Sequence, residues 1–445
     1  MSRLTSHLPF LALGVASCAP TPRLETSLPV ASPDWSIAPA RQSAPGTRAA
    51  STTLGAALGS PELAELIARA FAASPRLRVA GERVEEARAL ARSARGAGLN
   101  VVGIASGAVG RGGGLGFGGG DAQASLTPDL SGEGRARDRA AGARSQAAEQ
   151  ERQAEFLRTA AEIAQTYVQR AALTHRIALV DRSIAQSAEL ERVVGLRVRE
   201  GESSRVELGL QAVRAGRLRA ERSRLAGAAE QSRIALALLV GAEAPGFTVA
   251  AADLTALTPP EPAIPSPAML VLARSDLRAA EARLQAAGGD VSAARRAFLP
   301  GLNISVGQVA SAGLTGGIGL AADLLGPIFN RGRLKGSLDA ASARQRAAAF
   351  GYRQAMLSAL AEVEGAMSAA ATAKASALAL GETEQQARIT AGFAQRRYLE
   401  GEAGLQEVLD AQDLLIAAQD GGALTREAHI GAGIALWLAT GTPAS

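Results

Sequence analysis

Apolar and polar positions follow two different periods along this chain, and the two kinds of block recur. No proline occurs between residues 135 and 199, and apolar residues there return at Leu173, Ile177, Val180 and Ile184. Steps of four, three and four line one face of an α-helix. A helix over 135–199 would be roughly 95–100 Å long at 1.5 Å per residue. Gly201 breaks it, and a second helix is predicted over 204–240. The same block is expected over 333–399, with a break at Gly401 and a return from Leu405 towards residue 440. Ahead of each helical block lies a pair of short segments with a period of two. Ala122, Ala124, Leu126, Pro128 and Leu130 alternate with Gln123, Ser125, Thr127, Asp129 and Ser131; Leu302, Ile304 and Val306 alternate with Asn303, Ser305 and Gly307. In the fourth segment Leu314, Ile318, Leu320 and Leu324 are interleaved with Thr315, Gly317, Gly319 and Asp323, while Leu99–Val109 alternates less cleanly. The predicted strands are therefore 99–109, 122–131, 302–310 and 314–324. Each has about the 9–11 residues that a tilted strand needs to cross a bilayer. Gly110–Gly120 and Ser311-Ala312-Gly313 read as the loops between them.

The recurrence has a fixed spacing of 200 residues. Arg-Glu-Gly-Glu at 199–202 returns as Leu-Glu-Gly-Glu at 399–402, Leu77-Arg78 as Leu277-Arg278, Ala143-Arg144 as Ala343-Arg344, and Gly241 as Gly441. Periods of about 20–50 residues mark solenoids; one this long marks two copies of a subdomain. The first repeat is expected over 54–241, with its helical hairpin at 135–240, and the second over 268–441, with its hairpin at 333–440. Between them, 242–267 is a proline-rich linker that no helix could cross. Ser60-Pro61-Glu62 opens a helix with a Ser cap, Pro in the first turn and an acid at the positive end of the dipole. Ser74-Pro75 opens the next.

Composition sharpens this picture. The 445 residues are 47% hydrophobic but only 3% aromatic, as suits long helices better than thick layered cores. Lys335 and Lys374 are the only lysines, so arginine carries nearly all the positive charge. The net charge of +5 comes from arginines that alternate with Glu along helical stretches without interleaved aromatics, which argues against a nucleic-acid surface. At the start, Arg3 and His7 precede the apolar run Leu8–Val15, which ends in Val15-Ala16-Ser17-Cys18. Residues 1–17 read as a signal peptide, too short to span a bilayer. Small residues running into the sole cysteine resemble a lipobox, so Cys18 is expected to carry a covalent lipid, with 18–53 as a Pro/Ser/Ala-rich tether. A plain signal peptide containing a cysteine is the blander reading. No other cofactor is expected, and no stretch of about 18 apolar residues follows that could form a transmembrane helix.

A sheet in a bilayer must close, because no water there satisfies an open edge. The smallest such barrels need about 8 strands, and one chain offers four. Several copies must then share one barrel; three give twelve strands and a matching set of long helices able to enclose a tunnel. At this point the sequence resembles the outer membrane factor family, the TolC-like channels, and within it the lipid-anchored NodT-type branch. The resemblance rests on Ser60-Pro61-Glu62-Leu63, Ser74-Pro75-Arg76-Leu77, Arg274-Ser275-Asp276-Leu277, Ala297-Phe298-Leu299-Pro300, Leu325-Gly326-Pro327-Ile328-Phe329, Tyr398-Leu399-Glu400-Gly401 and Val408-Leu409-Asp410-Ala411-Gln412. It implies a mainly α fold with a small transmembrane β part: a homotrimeric 12-stranded β-barrel continued by a long α-helical barrel. It also implies export across the outer membrane, with a periplasmic adaptor and an inner-membrane transporter as partners. The chain departs from the family's habit in three places. Ser275 stands where Pro is common, Gly98-Leu99 stands where the second copy has Leu299-Pro300, and the strands lack an aromatic girdle beyond Phe117.

Such a protein needs a gate and a docking tip. Glu407 and Asp410 lie three apart on one helix and hence on one face. In a trimer they would stack as acidic rings that favour cations. The resemblance puts the periplasmic gate there and adds Tyr398 as a residue hydrogen-bonding across neighbouring helices; Glu207 occupies the place in the first copy that matches Glu407, and Ala403 stands where some relatives have a basic tether. The alternative is that these acids are ordinary surface charges near a helix N-terminus. The turns Glu200-Gly201-Glu202 and Glu400-Gly401-Glu402 would form the tip that meets the adaptor. No enzyme is expected: His7, His175 and His429 are isolated, and Gly110–Gly120 lacks a phosphate loop's Lys-Ser/Thr ending. A lipid-anchored coiled-coil scaffold without a pore remains a different reading of the same pattern. An adaptor does not fit, since two duplicated hairpins at this spacing are not an adaptor's plan.

Overall fold

A computed structural model describes residues 34–36, 54–95, 99–105, 120–126, 128–250, 252–309, 317–325 and 330–441. Cys18, Phe117 and the outer parts of the predicted strands 99–109 and 314–324 lie outside these residues, as does most of the Gly-rich loop.

Each repeat begins with short helices. In the first, α1 (Leu54–Ala57), α2 (Pro61–Ala73) and α3 (Pro75–Arg95) lead into the sheet. The Ser60 hydroxyl accepts the Leu63 amide at 3.2 Å, and Leu63, Leu66, Ile67 and Ala70 form the buried stripe of α2. The strands are β1 (Leu99–Ala105), β2 (Gly120–Leu126), β3 (Gly301–Val309) and β4 (Gly317–Leu325). They form one antiparallel sheet in the order β1-β2-β3-β4, with Leu99 opposite Leu126, Leu126 opposite Ile304, and Gly301 opposite Leu325. Among the described residues β1 and β4 are therefore each paired on one side only.

The second strand stops short of its sequence pattern. Residues 128–131, which continue the alternation, lie outside β2. Pro128 has no N–H to give a ladder, and the Asp129 carboxylate accepts the amides of Gly134 at 3.1 Å and Arg135 at 2.8 Å. Asp129 thus caps the next helix, α4 (Glu133–Glu200), which is 68 residues long. It folds back as α5 (Arg205–Val240). In the second repeat, α6 (Pro267–Ala273) and α7 (Ser275–Arg296) precede β3, and α8 (Arg331–Leu399) and α9 (Leu405–Thr440) form the second hairpin. Both long helices are met at their far ends by glycines with φ 81°, Gly201 and Gly401, and both return helices by Gly241 (φ 77°) and Gly441 (φ 65°). That left-handed conformation is one that a Cβ opposes.

The helices lie side by side in one layer. In the hairpins α5 packs on α4, α4 on α9, and α9 on α8; nearer the sheet α3 packs on α4, α4 on α7, and α7 on α8. Gly289 lets α7 approach α4 closely, since a Cβ there would stand 2.8 Å from that of Ala140. The main core is where α1 and α2 cover α4, α5 and α9, and it holds Leu63, Ile163, Tyr167, Leu236, Ile430 and Trp437.

Arginines hold the irregular parts in place. Arg233 donates to the carbonyls of Ala244 and Phe247, and Arg170 donates to that of Val249. Arg426 takes those of Leu254, Thr255 and Leu257. A planar fork with five donors in fixed directions serves several carbonyls at once. The N-terminal segment docks on the second repeat: Trp35 Nε1 donates to the Pro265 carbonyl at 2.9 Å, and the Ser36 amide and hydroxyl donate to Glu364 at 3.0 and 2.7 Å. The repeats also solve one problem twice. Arg76 pairs with Glu155 and with Glu162; in the second copy Arg274 pairs with Asp276 and Glu362, both at 2.7 Å. Asp276 stands where the first copy has Arg76, so the arginine has moved to the helix's leading edge.

Candidate functional site

The two hairpins end side by side, and the end is where the predicted site residues gather. Leu190, Val194, Tyr398, Leu405, Val408 and Leu409 form an apolar cluster there. Glu200, Gly201, Glu202, Glu400, Gly401 and Glu402 are all exposed around it.

The two tips differ at one decisive position. In the first, Ser204 caps α5: its hydroxyl accepts the Glu207 amide at 3.2 Å, and the Glu207 carboxylate accepts the Ser204 amide at 3.0 Å and the Ser203 hydroxyl. This reciprocal capping box satisfies two otherwise orphaned amides. The hydrogen bond from Ser203, and then that from Ser204, holds Glu207 below the usual carboxylate range. Glu207 is thus committed to its own helix start. In the second tip, Gly404 occupies the place of Ser204 and supplies no side-chain cap. Glu407 is left free of capping and forms a 2.6 Å ion pair with Arg397. Asp410 is exposed and accepts from Gln406 at 2.7 Å. Glu407 and Asp410 are both exposed, flanking the buried pair Val408 and Leu409.

Tyr398 is 4% exposed and its hydroxyl has no hydrogen-bond partner among the described residues. The link between hairpins runs instead through its backbone and ring. Arg197 donates to the carbonyls of Tyr398 at 3.1 Å and Leu399 at 3.3 Å, and its guanidinium lies 4.5 Å from the centre of the Tyr398 ring. Two more arginines of the first hairpin grip the second. Arg214 donates to the Leu409 carbonyl at 3.1 Å and pairs with Asp413 at 2.9 Å, and Arg176 pairs with Asp420 at 2.5 Å. Reading the sequence missed these arginines. Arg197 and Arg397 do share the 200-residue register, but nothing local shows which neighbour each reaches.

Comparisons with known proteins fit this architecture. Residues 268–442 match the family model described as outer membrane efflux protein. The chain is 31% identical over 285 residues to the pyoverdine export outer membrane protein OpmQ of Pseudomonas putida; the match covers 63% of this chain and 61% of OpmQ. It thus spans less than two thirds of that relative's length. The cation efflux system protein CusC of Escherichia coli K12 is 30% identical over 158 residues, 34% of this chain and 35% of CusC. Among solved structures, the outer-membrane channel OprN superposes with a TM-score of 0.80 at 24% identity, covering 89% of this chain and 93% of OprN. The shared fold is the TolC-like one, mostly helical with a long helical barrel.

Proposed function

Because residues 268–442 match the outer membrane efflux protein family model and the chain resembles OpmQ, we propose that it belongs to that family and is the outer membrane channel of a tripartite export system. The observation that carries this reading is that, among the described residues, the single chain is open at both edges of every layer. β1 and β4 end the sheet, while α5 and α8 end the row of hairpin helices. Those outer helices expose apolar side chains: Val206, Leu210 and Val213 on α5, and Leu378, Ile389 and Phe393 on α8. Each open edge differs from the opposite one, so copies join head to tail, and a closing rotation gives a ring. Three copies bring the sheet to twelve strands, above the minimum of about eight for a membrane barrel, and close the hairpins into a tube.

In this reading the barrel sits in the outer membrane, held also by a lipid on Cys18, and the hairpins reach into the periplasm. The exposed turns at Gly201 and Gly401 meet a periplasmic adaptor, which hands over solutes from an inner-membrane transporter. Glu407 and Asp410, with Tyr398 behind them and Glu207 bracing the neighbouring tip, form the entrance. The ion pair from Arg397 holds Glu407 in the closed arrangement. OpmQ is named for pyoverdine and CusC for cations, so the cargo of this chain is left to the transporter it serves.

Planar-bilayer recording tests the reading. Native protein and an Arg397→Ala variant should insert with stepwise conductance that favours cations. Glu407→Gln with Asp410→Asn should reduce that preference. Membrane binding without conductance in both native and Arg397→Ala protein would leave the coiled-coil scaffold as the better account.

A further inference from the structure

A cavity of about 180 Å³ opens between the two hairpins, bounded by all four of their helices. Arg182, Ser183 and Gln186 come from α4, Arg214 from α5, Arg388 from α8 and Gln412 from α9. Among the described residues no carboxylate lines it. Two larger cavities nearer the sheet are built differently: one is lined by Glu151, Glu155 and Asp276 beside its arginines, the other by Asp138. The hairpin cavity therefore gathers three arginines with no acid in its lining to balance them.

Its donors are incompletely used. Arg214 is committed to Leu409 and Asp413, and Arg388 reaches Glu384 with one nitrogen at 2.6 Å. Arg182 pairs with no carboxylate among the described residues; only its Nε is engaged, with the Ala178 carbonyl at 3.3 Å. Gln412 is 9% exposed and contributes to the lining. The position adds to the anomaly, because the cavity interrupts an apolar spine. The tip cluster around Leu190 and Leu409 lies below it, and the cluster of Leu173, Val180, Leu218 and Leu225 above.

We propose that this cavity binds a small oxyanion of the phosphate, sulfate or carboxylate type, held by the free guanidinium donors of Arg182 and Arg388 and the amide of Gln412. Guanidinium groups present paired, coplanar N–H bonds that match two oxygens of such an anion, and these charge-assisted bonds are the strong ones. The occupant would be contacted from both hairpins. Binding only the joined arrangement, it would favour that arrangement over a separated one; this consequence, unlike the site itself, rests on the channel reading.

The test is calorimetric titration of the detergent-extracted full chain with inorganic phosphate, and separately with acetate, at ionic strength held constant with chloride. Saturable binding of at least one is expected. Arg182→Gln should weaken it by about tenfold or more, the effect of losing one hydrogen bond to a charged group. Arg83→Gln, in a cavity that carries its own acids, should leave it unchanged. Arg182 is exposed and makes no ion pair, so the variant keeps the fold; unchanged circular dichroism checks this. No saturable heat with either anion, or affinity unchanged from the native protein in both Arg182→Gln and Arg388→Gln, overturns the site. Binding by a protein that proves monomeric would keep the site and defeat the ring, so the two readings fail separately.

Discussion

Arg274 makes the heaviest demands of any side chain in this molecule. It is 7% exposed and holds the Ala439 carbonyl at 2.9 Å together with Asp276 and Glu362. A buried charge is tolerable only when paired and hydrogen-bonded. Arg274→Met keeps the volume but strands Asp276, and should cost about 3 kcal/mol, the low end for breaking a buried pair because Glu362 is half exposed. Urea unfolding of the extracted protein would read this. Asp276 also gives a sign for pH. Burial alone would raise its pKa, but the Arg274 fork more than offsets this and holds it below the usual carboxylate range. Its contribution is therefore complete above about pH 4, the ordinary Asp value. It is lost as the pH falls through the lower folded value. The native protein should lose melting temperature as the pH falls below about 4, and Arg274→Met should lose less; equal losses would show that the pair does not govern the acid limb. The sequence marked Arg274 only as part of a motif, because two of its three partners, Glu362 of α8 and the Ala439 carbonyl of α9, lie far along the chain.

At the scale of elements, the two tips form a natural comparison. One has the capping box of Ser204 and Glu207, and the other has Gly404 and a Glu407 that turns to Arg397. Ser204→Ala should cost the first tip about 1 kcal/mol and speed amide exchange at 205–208 alone. Gly404→Ser should recreate the box in the second tip, draw Glu407 from Arg397 and slow exchange at 405–408. If exchange is unmoved at either tip, the caps do not set local stability. The elements themselves were largely legible. Long proline-free stretches, glycine breaks and the Ser60 cap depend on neighbours within one turn, and the structure forms helices there. The second strand was misjudged at its end because Asp129 continues a period of two while serving as the cap of α4. A side chain's hydrogen-bond partner carries no signature in the alternation. The same limit applies to the site: Glu407, Asp410 and the turns could be read from repeats, whereas the burial of Tyr398 and the grip of Arg197 depend on how two hairpins pack.

At the scale of the whole molecule, the account stands on closure. Among the described residues the four-stranded sheet has two free edges, and the outer helices α5 and α8 carry exposed apolar rows that a lone chain would leave in water. Replacing Ile389 and Phe393 on α8 by Asp should weaken assembly while leaving the Arg176, Arg197 and Arg214 contacts within one chain intact. An assembly unaffected by those two charges would mean that α8 is not the joining face. The most direct measurement is the mass of the native protein extracted in detergent, corrected for bound detergent. A stable species of three chains is the predicted result; a monomer in mild detergent would leave four strands with no means of closing, and would contradict the channel.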